Sequence, residues 1–251
     1  MTIDYPTNTQ LPQLRRLWQT AFGDSDAFLD GFYATGYSPR RCRWVNVDGQ
    51  VAAGLYWFDG QCRGQTVAYL YAVATAPEYR HRGLCRTLLE DTHNLLASSG
   101  YAAALLVPEG DALRQMYTAF GYRNWGGKRE WHCQAGLTPL PLCQISPEEY
   151  ARLRRQLLPA GAVIQEGSSF AYLATFAQFF AGEGVLLAAA RDGDSLRAME
   201  LLGNPDAAPG ILRALGCTGG TFSAPGDAPF AMCLPLKSSF PPSGYFGLDL
   251  A

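Results

Sequence analysis

At 251 residues the chain is longer than one ordinary core needs and suits two domains of about 100–150 residues each. Hydrophobic residues make up 48% and charged residues 17%, which excludes a disordered polyelectrolyte and supplies apolar mass for real cores. The net charge of −2 leaves no global field to draw the chain to nucleic acid or anionic lipid, so any anion site must be built locally.

The segment LPQLRRLWQTAF places Leu14, Leu17, Trp18 and Phe22 at helical spacing. DSDAFLDGFYATGY opens on Asp24 or Ser25 as a cap and reads as a second helix. The period then shortens to that of strands. RCRWVNVDGQVAAGLYWFDGQCRGQTVAYLYAVAT holds three strand-like runs, with Asp48-Gly49 between the first two and Asp59-Gly60 near the next bend. From Gly83 the helical period returns through Leu84, Leu88, Leu89, Leu95 and Leu96, and Gly100 ends it. YAAALLV is a buried-type strand, and DALRQMYTAFGY is a short helix capped by Asp111 and stopped by Gly121. More strand follows through Trp131.

The uncharged, proline-containing stretch that begins at Gln134 reads as a linker, which predicts domains at 1–135 and 136–251. Ser146, Pro147 and Glu149 then form a capping box for the next helix. SSFAYLATFAQFF reads as another helix, Asp192-Gly193 turns a hairpin, PDAAPGILRALGC is helical, and two strands flank Pro225. The second half thus repeats the coarse order of the first: two helices, a hairpin, a helix, then strands.

The start of the chain has no basic segment followed by an apolar run, so no signal peptide is expected. Apolar runs such as GVLLAAA fall well short of the roughly 20 residues that span a bilayer. Seven cysteines without a Cys-x-x-Cys pair read as reduced thiols of a cytoplasmic protein, and His81, His93 and His132 do not cluster with them, so no metal is expected. His81 and His93 are both expected at the surface.

PEYRHRGLCRTLLE carries the chemistry. A strand leads through arginines and one glycine into a helix. A helix N-terminus exposes unpaired amides and the positive end of its dipole, and a tight turn at Gly83 makes those amides converge on an anion. Arg80 and Arg82 add charge beside it.

This order of elements, with Arg80-His81-Arg82-Gly83-Leu84-Cys85, resembles the GCN5-related N-acetyltransferase (GNAT) superfamily. The family motif is Arg or Gln, two residues, Gly, one residue, then Gly or Ala; Cys85 departs from it. YAVATAPEYRHRGLCRTLL is similar to the acetyl-CoA segment of tandem enhanced-intracellular-survival-type enzymes, and LLVPEGDALRQMYTAFGYRNW fits the family's placement of Tyr four residues before Gly-Tyr. The resemblance implies an α/β (α+β) fold of two tandem GNAT-like domains. Each has a mixed, mainly antiparallel sheet flanked by helices, and the second is degenerate.

It also implies acetyl-CoA as co-substrate, held by Val73, Ala74 and Thr75 along the strand and by His81, Arg82, Gly83, Leu84, Cys85 and Arg86 at the pyrophosphate. Tyr117 is implied as the general acid, against its reading as a core aromatic between Met116 and Phe120. The acceptor would be a small-molecule or peptide amine, with no nucleic acid and no membrane as partner; a homo-oligomer is left open. Tyr69 and Tyr71 share one strand face and read as cleft walls. The strand has no carboxylate, so the base stays open between water, Glu109 and the carboxylate of Ala251. The other function class that fits is a CoA- or acyl-CoA-binding module without turnover. A tandem-GNAT aminoacyl transferase using charged tRNA is disfavoured by the acidic chain.

Overall fold

A computed structural model describes residues 1–250. The chain forms a mixed α/β structure with two sheets flanked by helices. It divides into two compact units. The first comprises Met1–Arg123 with Met232–Phe240; the second comprises Asn124–Ala231 with the segment that begins at Pro241.

In the first unit, β1 (Thr2–Asp4) is followed by α1 (Leu11–Phe22) and α2 (Asp26–Gly31). The Ser25 hydroxyl caps α2 by accepting from Phe28 N at 3.2 Å. One turn of π-helix extends it through Phe32–Gly36. Then come β2 (Cys42–Val47), β3 (Gln50–Cys62) and β4 (Gln65–Thr75). Asp48 and Gly49 both take positive φ, 51° and 81°, which matches the right-handed twist of a two-residue hairpin. The second bend falls at Arg63-Gly64, a few residues past Asp59-Gly60. Asp59 stays in strand β3 because its carboxylate accepts from Tyr101 Oη at 2.6 Å and Arg41 Nη1 at 3.3 Å.

Helix α3 (Leu84–Ser98), β5 (Ala103–Leu106) and α4 (Gly110–Thr118) complete the first pass. Helix α4 starts at Gly110, so Asp111 lies inside its first turn and is not its cap. β4 and β5 are parallel; their neighbours β1, β2 and β3 are antiparallel. One apolar cluster joins Leu84, Leu88, Leu89 and Leu96 of α3 to Val45, Leu55, Trp57, Leu70, Leu106, Tyr117 and Tyr122.

After β6 (Arg123–Asn124), the second unit contains β7 (Gly127–Gln134), β8 (Leu142–Ile145), α5 (Pro147–Leu157), β9 (Ile164–Gln165) and α6 (Ser168–Leu173). It continues with β10 (Gln178–Gly182), β11 (Val185–Asp192), β12 (Ser195–Gly203), α7 (Ala208–Ala214), β13 (Gly219–Pro225) and β14 (Ala228–Pro229). Its sheet order is β14-β7-β13-β12-β11-β10-β8. The Ser146 cap is formed, accepting from Glu149 N at 3.2 Å.

Two sequence expectations fail here. Helix α6 stops at Leu173, and Gln178–Gly182 is a strand, because Phe179 and Phe180 are buried by pairing with Ala188 and Leu187 of β11. The division also does not fall at residue 135. β7 pairs along its length with β13 of the second unit, while the late strand β15 (Met232–Pro235) pairs with β5 of the first. Short sequence distance does not decide strand membership; the exposed edges of β5 and β13 do.

Candidate active site

The site is set by an irregularity in β4. Tyr71 pairs with Tyr56 and Ala74 with Gly54, so two residues of β4, Ala72 and Val73, oppose Leu55 alone. Ala72 sits at φ 49°, the left-handed conformation of a bulge. On its other edge β4 pairs with β5 only from Val67 to Tyr69. Beyond Tyr69 the two parallel strands fork.

Ala76 N donates to Ala52 O at 2.9 Å, which fixes the direction of the amides that precede it. Successive amides alternate between the two edges of a strand, so Ala74 N points to β3, and the N–H groups of Val73 and Thr75 point into the fork. Of the three predicted strand residues, Val73 and Thr75 therefore offer donors there and Ala74 does not.

The strand leads into α3 through a short 3₁₀ turn at Pro77–Tyr79. Arg80 Nε donates to Thr75 O at 3.2 Å and ties the loop to the end of β4. His81 takes φ 60° and Gly83 φ 77°. A Cβ on Gly83 would meet nothing within 4 Å, so the space over this turn is open. Thr87 N is the first helical amide to reach a carbonyl, Gly83 O at 3.1 Å. The N–H groups of Leu84, Cys85 and Arg86 stand before it at the positive end of a fifteen-residue helix. Arg82 stacks over Tyr79 at 5.4 Å and Arg86 over Phe120 at 4.5 Å, so both guanidinium groups flank the turn. His81, Arg82 and Arg86 are exposed, as a ligand-facing loop requires.

Cys85 packs against the apolar cluster with Leu84 and Tyr117, and burial pushes its thiol up to about 11. The residue that departs from the family motif thus points its extra bulk at the core. Tyr117 on α4 is 6% exposed, and its ring lies edge-on to Phe120 and Tyr122, with centroids 6.4 and 5.6 Å away. Burial and the neighbouring Cys85 hold its phenol well above the usual range, so it carries its proton at neutral pH.

Two expectations change. Tyr69 and Tyr71 are buried, Tyr71 5.3 Å from the ring of Trp18, inside an aromatic core with Phe32, Tyr56 and Phe58. They are core, not cleft walls, because α1 and α2 cover their face of the sheet. His93 is 9% exposed, not at the surface; its Nε2 lies 2.8 Å from Tyr122 Oη. The spacing 85, 89, 93 on α3 carries that signal, since it continues the buried stripe. Glu109 is exposed at the start of α4, and Ala251 lies outside the described residues. The bulge in β4 had no signature in YAVAT. Among the described residues no group of side chains could hold a metal ion.

A bulged strand that forks from its parallel neighbour, above a helix opening on a positive-φ glycine, defines an α/β fold with unpaired amides at a helix N-terminus. Residues 2–124 match the family model "Acetyltransferase (GNAT) domain". The match lies within the first half of the chain, and over those residues the protein is similar to N-acetyltransferases. Its fold is similar to that of a GCN5-related N-acetyltransferase from Anabaena variabilis, at TM-score 0.71 and 17% identity, over 94% of this chain and 73% of that one. Eis1 from Mycobacterium abscessus aligns at TM-score 0.66 and 12% identity, over 94% and 74%. A tandem GNAT protein from the clavulanic acid biosynthesis pathway aligns at TM-score 0.57 and 11% identity, over 95% and 100%. No curated protein sequence matches the chain.

Proposed function

We propose that the first unit transfers the acetyl group of acetyl-CoA to a primary amine of a small molecule or peptide by direct attack. One observation carries this: the fork of β4 and β5 opens toward the unpaired amides of α3. An extended thioester laid in the fork would meet the Val73 and Thr75 amides, and its pyrophosphate would meet those of Gly83 to Arg86. The open space over Gly83 fits such an approach.

The amine attacks the thioester carbonyl, the tetrahedral intermediate collapses, and the CoA thiolate leaves. Tyr117 supplies the proton to that sulfur. A thiolate released beside this buried phenol would itself be desolvated, which raises its own affinity for the proton. The ammonium acceptor must lose a proton first. β4 has no carboxylate to take it, which leaves water, Glu109 or the chain's last carboxylate as its acceptor.

That missing carboxylate is also the observation that favours the second reading, a module that binds CoA or acyl-CoA without turnover. A screen of primary amines with acetyl-CoA, following free thiol, separates the two. Release with at least one amine supports the enzyme; tight calorimetric binding with no release across the panel supports the module. Tyr117→Phe is expected to lower kcat by roughly 10²-fold and leave acetyl-CoA affinity unchanged. Equal activity would return Tyr117 to the core. The expected setting is cytoplasmic, and no described helix is long and apolar enough to cross a membrane.

A further inference from the structure

The Tyr117 hydroxyl is the rigid tip of a ring packed among aromatic neighbours. Its direction is therefore set by what holds its ring. Phe120 and Cys85 are its neighbours, and both are only half-buried. The firm wall is Tyr122, which is 2% exposed and edge-on to Tyr117 at 65°. Tyr122 is fixed at both ends. Its backbone N donates to Tyr117 O at 3.0 Å, across a turn that Gly121 closes at φ 91°. Its hydroxyl meets His93 Nε2 at 2.8 Å.

This polar pair is a costly way to fill a core. Buried hydrogen-bonded groups can be replaced by apolar residues of the same shape with little loss of stability, so packing alone does not call for a histidine and a phenol. The pair does what a Leu–Phe pair cannot: it pins the far end of the Tyr122 ring, and with it the tilt and position of the surface against which Tyr117 leans. Cys85, Leu89 and His93 lie on successive turns of α3, so the helix whose N-terminus forms the anion cradle also carries this support.

We infer that His93, acting through the Tyr122 hydroxyl, is a positioning residue for the hydroxyl of Tyr117. This rests on the reading of Tyr117 as the proton donor given above. A misplacement of the order of 1 Å at a reacting group costs up to about 10²-fold in rate, without touching the binding of the rest of the substrate.

The test uses the full chain, acetyl-CoA, and the primary amine that releases thiol fastest with the unaltered protein. His93→Leu, Tyr122→Phe and the double variant are each made alone and on a Tyr117→Phe background, with thermal unfolding as a folding control. Each single variant should lower kcat by roughly tenfold or more and leave KM for acetyl-CoA unchanged. The double variant should be no worse than either single one, because the two share one hydrogen bond. On the Tyr117→Phe background none should lower the residual rate further. His93→Gln, which keeps a polar partner for Tyr122, should recover part of what His93→Leu loses. Unchanged kcat in folded Tyr122→Phe overturns the positioning role while leaving Tyr117 as the acid. So do losses that persist undiminished without the Tyr117 hydroxyl. Full activity of Tyr117→Phe alone overturns the acid and, with it, its support.

Discussion

Gly83 and His93 show how much one residue can decide. Gly83 holds φ 77° with open space where a side chain would stand. A Cβ at this position meets no protein atom within 4 Å, so the fold of Gly83→Glu should survive with only modest strain from the left-handed backbone. It would put a carboxylate where a pyrophosphate is expected, and acetyl-CoA binding should be abolished. Unchanged affinity by calorimetry in the folded variant would remove the cradle. His93 makes a pH prediction. Burial lowers its pKa from 6.5 to about 4. The unfolded chain then binds a proton that the folded one refuses, so stability is fully present above pH 6.5 and declines as pH falls toward 4. The loss amounts to roughly 3 kcal/mol by linkage. Urea unfolding of the parent and of His93→Gln across this window checks it: the parent should weaken with acid and the variant should show a flatter profile. Gly83 could be read from the chain, because a glycine before a leucine-rich stripe has few other uses. The burial of His93 could have been read from the same stripe; its polarity argued the other way.

At the scale of elements, strand β12 hides the least expected feature. Glu200, in the apolar run RAMELLG, is fully buried and meets Arg154 of α5 in a two-pronged pair, Nε–Oε2 at 2.6 Å and Nη2–Oε1 at 2.9 Å. Tyr150 and Tyr245 donate to the same carboxylate at 2.8 and 3.0 Å. Gln165 Nε2 donates to Leu248 O at 2.7 Å, so one polar knot ties α5, β12 and the C-terminal segment together within the second unit. Glu200→Gln keeps the shape and leaves Arg154 buried without its counter-charge. It should cost about 3–5 kcal/mol, read as a lowered denaturation midpoint of the second unit; a shift below 1 kcal/mol would mean that Arg154 finds water. Helix propensity predicted α1, α3 and α5 within a residue or two, since their apolar stripes and caps are local. It misassigned Gln178–Gly182, where Phe179 and Phe180 obey the pairing of a sheet and not their own neighbours. The bulge at Ala72 is equally non-local: it exists only in the register of β4 against β3.

For the whole molecule, strand membership decides what can be cut. A fragment ending at residue 135 keeps β7, which belongs to the second unit's sheet, and lacks β15, which covers β5. It exposes the edge of a fully buried four-residue strand and should be insoluble or molten. Supplying residues 136–251 as a separate chain should restore a folded complex if strand coverage is the cause; a well-folded isolated 1–135 fragment would show that β15 is dispensable. By itself, the sequence determined what is local and periodic: helices α1, α3 and α5, the hairpin at Asp48-Gly49, and a second hairpin whose turn falls one residue past Asp192-Gly193, at Gly193 and Asp194. It also placed the glycine-and-arginine turn before α3 and Tyr117 four residues ahead of Gly121. The tertiary structure alone decided the fork of β4 from β5, the direction of the Val73 and Thr75 amides, the His93–Tyr122 bond, and the sheet to which β7 and β15 belong. The physical reason is one of distance along the chain. A helix cap or a two-residue turn is stabilised by atoms a few residues away. A strand edge, a bulge or a buried polar partner is stabilised by whichever distant segment satisfies it best, and no local pattern names that segment.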